Sequence, residues 1–86
     1  MYVIIVYDVS VERINRIRKF LKQYLIWRQN SVFEGEITDS QLDEIKNSLS
    51  KMIGLGDSII IYYSKHLKEI KSEIIGFNKS NFKLIV

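Results

Sequence analysis

Asp8 is the residue around which this sequence can build metal chemistry. It closes the apolar run Tyr2 to Tyr7 and stands two residues before Ser10, where a helix begins. A hard cation such as Mg²⁺ or Mn²⁺ prefers carboxylate oxygen, and it often needs only one or two protein carboxylates besides water and substrate phosphates. One aspartate per chain therefore suffices when a twofold axis brings two together. Asp8 is the one acid that the pattern sets against a buried strand end. A structural reading stands beside the metal one: a carboxylate at that point can cap helix amides or pair with Arg13. Elimination narrows the chemistry further. The chain has no cysteine and one histidine, His66, set in a lysine-flanked polar stretch. It also lacks a nucleophile elbow, a P-loop and a histidine-pair zinc motif. Serine hydrolase, NTPase and zinc enzyme are thereby disfavoured, and a metal-bound water is the nucleophile left near neutral pH. No general base is visible beside it.

Charge is distributed in blocks. Val11 to Asn30 carries six basic residues against Glu12 (+5), Ser31 to Ser50 five acids against Lys46 (−4), and Lys51 to Val86 six lysines against three acids (+3). Arg13, Arg16, Arg18, Lys19, Lys22 and Arg28 can track a phosphodiester backbone, with Tyr24, Trp27 or Phe33 near enough for base stacking. The plainer alternative is a solvated helix face with its aromatics in the core. Nothing resembling a recognition helix or a ribonucleoprotein aromatic motif suggests sequence-specific readout.

These residues need a scaffold. Tyr2 to Tyr7 is apolar on both alternating faces and reads as a strand buried on two sides. Ser10 is placed to cap a helix whose stripe is Ile14, Ile17, Leu21, Tyr24 and Leu25. Trp27 to Ile37 reads as a hairpin turning near Asn30 and Ser31. Thr38-Asp39-Ser40-Gln41 has the form of a capping box before a second amphipathic helix through Leu42, Ile45, Leu49, Met52 and Ile53, which Gly54 and Gly56 end. Ser58 to Tyr63 is another strand apolar on both faces. A polar stretch, Ser64 to Ser72, leads to Glu73 to Phe77 and an apolar end, Phe82 to Val86. The order β-α-β-β-α-β predicts an α+β, ferredoxin-like sandwich with a C-terminal β extension. All 86 residues form a single domain in this reading, with a core over about 1–63 and the extension over 64–86. Because the helix-free sheet face would be too apolar to stay open, the pattern predicts a homodimer packed sheet to sheet. Zero cysteines, no apolar run of membrane-spanning length and no signal peptide predict a cytoplasmic protein.

Four segments, in order, carry a family resemblance: Tyr2-Val3-Ile4-Ile5-Val6-Tyr7-Asp8-Val9, Gln29-Asn30-Ser31-Val32-Phe33-Glu34-Gly35-Glu36, Asp57-Ser58-Ile59-Ile60-Ile61-Tyr62 and Ile74-Ile75-Gly76. Together they resemble the small nuclease-like CRISPR-associated protein that partners the CRISPR integrase in spacer acquisition. The resemblance implies a ferredoxin-like homodimer with a Mg²⁺ site at the aspartate ending the first strand, hence Asp8 after Tyr7. It also implies metal-dependent endonuclease activity on single-stranded RNA or double-stranded DNA. Ser31 and Phe33 match the family's central motif, and its basic first-helix residues fall on Arg13 and Arg16. Three readings follow. The first is a phosphodiesterase in which Asp8 of each subunit holds the metal. The second is an architectural subunit whose basic helices carry duplex DNA and whose Asn78 to Val86 segment docks the integrase. The third is a ferredoxin-like regulatory module binding a small ligand.

Overall fold

Alternation along the first strand divides the molecule into a core and an open side. In β1 (Tyr2–Asp8) Val3, Ile5 and Tyr7 are buried and point to one face, while Ile4 and Val6 on the other are half-buried. The computed structural model describes residues 1–78 and 83–85 of the chain. Next come α1 (Val11–Leu21), β2 (Ile26–Gln29), β3 (Val32–Glu36), α2 (Asp39–Met52) and β4 (Ser58–Ser64). The four strands form one antiparallel sheet in the order β2-β3-β1-β4, which is the ferredoxin-like arrangement anticipated from the pattern. A separate ladder joins β5 (Gly76–Asn78) to β6 (Lys83–Ile85). Phe82 and Val86, the ends of the predicted final segment, lie outside the described residues.

Both helices cover the Val3/Ile5/Tyr7 face. Ile17 and Leu21 from α1 meet Leu42, Ile45 and Leu49 from α2 over Phe33 of β3. The Thr38 capping box forms as expected: Gln41 N–H donates to Thr38 Oγ1 (3.1 Å) and Thr38 N–H to Gln41 Oε1 (2.9 Å). Helix α1 ends earlier than the apolar stripe suggested. Tyr24 and Leu25 lie in a turn beyond Leu21, and Leu25 still reaches the core because its N–H bonds back to Leu21 O at 2.9 Å. The hairpin turns at Asn30-Ser31, with Asn30 at a φ of 26°, in the left-handed region that asparagine tolerates better than most residues.

The opposite sheet face is partly covered by the chain itself. Glu34 is buried there, its Oε1 3.3 Å from Arg28 Nε, and Arg28 also donates to Ser72 Oγ at 2.8 Å. Ile60 and Tyr62 of β4, opposite Val6 and Ile4, remain about half exposed at 50% and 56%. Among the described residues no helix is long and apolar enough to cross a membrane.

Candidate metal and nucleic-acid site at the end of the first strand

Asp8 is the last residue of β1, paired with Ser58 of β4, and its side chain is exposed. Strand alternation continues the row Tyr2, Ile4, Val6 to Asp8, so the carboxylate belongs to the helix-free side of the sheet.

Asp8 is not the only acid at this end, contrary to the sequence reading. Asp57, immediately before β4, has a side chain only 3% exposed and four donors around its two oxygens. Arg13 Nε approaches Oδ2 at 2.5 Å and Gly54 N–H donates to the same atom at 2.8 Å. Ser10 N–H and Ser10 Oγ–H reach Oδ1 at 3.0 and 3.4 Å. The Arg13 guanidinium first, then the Gly54 and Ser10 amides, hold this carboxyl well below the usual carboxylate range. Arg13 therefore pairs with Asp57 rather than with Asp8. Ser10 occupies the N-cap position of α1, but its hydroxyl accepts from Arg13 Nη2 instead of capping the helix. Glycine at 54 leaves room for this packing, since a Cβ there would stand 2.8 Å from the Arg13 guanidinium carbon and push the side chain off Asp57. The cluster ties the Asp8-Val9-Ser10 turn to the end of α2 and the start of β4.

On the other side of Asp8 is a cavity of about 330 Å³ lined by Tyr7, Asp8, Val9, Ile14, Arg18, Asn30 and Ser31. Tyr7 forms its inner wall. Its ring stacks on Phe33 (centroids 6.2 Å apart, planes at 27°) and its hydroxyl donates to Asn30 O at 3.3 Å. Burial pushes the Tyr7 phenol up, while the Arg18 guanidinium beside it pulls the other way.

The basic residues separate into two groups. Arg13 and Arg28 are engaged within the fold, by Asp57 and by Glu34 with Ser72. Arg16, Lys19 and Lys22 lie exposed along α1, with Lys22 Nζ 4.9 Å from the Trp27 ring centroid. Of the aromatics considered for stacking, Phe33 is fully buried, Tyr24 donates to Glu44 Oε2 (3.1 Å), and Trp27 carries Arg18 and Lys22 against its ring. Asp57 and the placing of Arg18 beside Asp8 were missed from sequence. The one signal for Asp57 is a carboxylate directly after a glycine pair and before a strand.

Among the described residues no group of three or more histidine, cysteine, aspartate or glutamate side chains comes together. Of the two acids described at this end of the sheet, Asp8 is the one left open to a cation, because the Asp57 oxygens already accept four hydrogen bonds. That donor set fits Mg²⁺ or Mn²⁺, which keep several waters, when a second copy adds its own Asp8.

Residues 1–74 match the family described as CRISPR associated protein Cas2. The chain is 47% identical over 87 residues to a protein of Thermococcus kodakarensis named CRISPR-associated endoribonuclease Cas2, covering 100% of both. It superposes on a structure titled "Crystal structure of cas2" with a TM-score of 0.79 at 46% identity, covering 100% of this chain and 98% of the other. Against the Streptococcus pyogenes Cas2 crystal structure at pH 6.5 the TM-score is 0.68 at 34% identity, over 74% of this chain and 86% of that one.

Proposed function

This chain belongs to the CRISPR-associated Cas2 family, and from that premise we propose that it is a homodimeric, divalent-metal-dependent endoribonuclease of CRISPR adaptation. The observation that carries the proposal is the contrast between two neighbouring acids. Asp57 is enclosed by donors, whereas Asp8 stands exposed on the helix-free side of the sheet. Pairing that side through Ile60 and Tyr62 of two copies would cover an apolar face and bring two Asp8 carboxylates toward one another. Relatives at 42–48% identity bear the endoribonuclease name, which favours RNA as substrate.

Asp8 of each subunit would hold Mg²⁺ or Mn²⁺. Such an ion would supply an ionised water that displaces a ribose oxygen from phosphorus, that oxygen taking its proton from solvent, and would offset the charge that develops on the phosphoryl oxygens. The Arg13–Asp57 cluster fixes the turn that carries Asp8, and Arg16, Lys19 and Lys22 hold the phosphodiester backbone by charge. The test is cleavage of a single-stranded RNA oligonucleotide by wild type and Asp8→Asn, each with Mg²⁺ and with EDTA. Loss of cleavage in the variant and in EDTA, with RNA binding retained, supports the reading. Cleavage that persists in either overturns it.

One observation favours a second, architectural reading. The single histidine lines a cavity with Met1, Glu36 and Thr38, at the end of β1 away from Asp8, so it is not placed as a general base there. In that reading the basic α1 face carries duplex DNA, the chain from Asn78 docks the CRISPR integrase, and Asp8 has no catalytic part. Spacer acquisition that survives Asp8→Asn, measured alongside cleavage in the same preparation, selects it.

A further inference from the structure

Arg18 is placed unlike the other cations of α1. Its Nε is buried and has no hydrogen-bond acceptor, its guanidinium carbon sits 4.8 Å from the Trp27 ring centroid, and its Nη1 reaches Asn15 Oδ1 only at 3.5 Å. Trp27 is in turn held by its Nε1–H, which donates to Asn30 O at 3.0 Å. The guanidinium is thus pinned between Trp27 and Tyr7 at the wall of the cavity that also contains Asp8. The Tyr7 hydroxyl serves part of the guanidinium, but Nε is left a desolvated donor without an acceptor, which is unfavourable, and an anion in the adjoining space would ease that deficit.

We propose that this cavity is a phosphate-binding subsite for one nucleotide unit of RNA, with Arg18 as the residue that takes the phosphate. Its other walls suit the rest of such a unit. About 330 Å³ is at the small end of ligand pockets and has room for a single nucleotide. Val9 and Ile14 offer an apolar floor to the sugar, and Ser31 offers a hydroxyl. No aromatic face is offered to a base, because Tyr7 is buried with Phe33 stacked on it and Trp27 is not among the residues that line the cavity. Recognition is therefore by phosphate and sugar, without preference among bases. The subsite deepens the reading of Asp8 as a nuclease site, because Asp8, at the strand end, is one of the residues that line it. It binds without metal and without cleavage.

The test is titration of the full-length protein with uridine 5′-monophosphate, adenosine 5′-monophosphate and uridine in EDTA at low salt. Trp27 is the single tryptophan, and its emission reports on the cation beside it. Both monophosphates should bind with affinities within about threefold of each other, and uridine far more weakly. Arg18→Gln should weaken the monophosphates by about tenfold or more, a loss that calorimetry measures without relying on Trp27. Arg18→Lys keeps a cation over the indole and with it the local packing, and should also weaken binding because a point charge replaces the guanidinium fork. Lys46→Gln, on the exposed face of α2, should bind as wild type. If either Arg18 variant folds and binds monophosphate as wild type does, or wild type binds none, the proposal is overturned. Monophosphate binding is read in EDTA, without cleavage, and its loss is tied to Arg18, so a failure of Asp8-dependent cleavage and a failure of this subsite are read separately.

Discussion

Phe33→Ala separates two roles that the central motif permits for an aromatic side chain. Phe33 is the largest fully buried side chain among the described residues, 0% exposed, between the helices and the sheet and stacked under Tyr7. Truncating such a ring costs about 3–5 kcal/mol, from the transfer free energy forfeited and the cavity left behind. A chain of 86 residues holds about 4–13 kcal/mol in all, at about 0.05–0.15 kcal/mol per residue. The truncation therefore takes a quarter of the stability at the least, and all of it at the low end. With a urea slope of about 1–1.5 kcal/mol per molar, the unfolding midpoint should fall by about 2–5 M. Phe33→Leu refills most of the volume and should cost under about 1.5 kcal/mol. The assay is urea unfolding followed by far-ultraviolet circular dichroism, with wild type and variants at one protein concentration because association adds to apparent stability. A Phe33→Ala protein with the wild-type midpoint but weakened RNA binding would show the ring to be a stacking surface and not part of the core.

Three further expectations concern charge and association. Asp57 has a lowered folded-state pKa, so its contribution to stability is present above the unfolded value of 3.8 and is lost as pH falls from there toward the folded one. Acid unfolding of Asp57→Asn, followed by circular dichroism, should be flatter below about pH 4 than that of wild type. Replacing Arg16, Lys19 and Lys22 together with glutamine should flatten the plot of log affinity against log salt for single-stranded RNA. The slope should change by up to about 0.7 for each phosphate that is no longer neutralised, and an unchanged slope would make the α1 face a solvated surface. Sedimentation at micromolar concentration should give twice the chain mass for wild type. Ile60→Asp should shift the mass toward monomer with a lower thermal midpoint, because it puts a charge on the exposed apolar side of β4.

Features set by neighbours along the chain could be read directly from residue types. The two-sided apolarity of Tyr2 to Tyr7 announced β1, Thr38 with Gln41 announced the start of α2, and Asn30-Ser31 announced the hairpin turn. The end of α1 was harder to read, because Tyr24 and Leu25 keep helical spacing while the backbone is already turning. Pairings across sequence distance were not legible. Asp57 and Arg13 are 44 positions apart, as are Arg28 and Ser72. Only the folded sheet brings Asp57 beside the turn that follows Asp8. Arg18 looked like one more cation on a basic helix. Its separation from Arg16 and Lys19 comes from Trp27 and Tyr7, residues on two strands that close over it.

Mixing subunits tests whether two Asp8 carboxylates share one metal site. Wild type and Asp8→Asn chains in equal amounts are unfolded together, refolded so that they pair at random, and assayed for Mg²⁺-dependent RNA cleavage. If both carboxylates are required, only dimers of two wild-type chains are active, and cleavage should fall to roughly a quarter of that of an equal total of wild type. Cleavage at roughly a half would mean that each chain carries a complete site, and would contradict the shared-metal account.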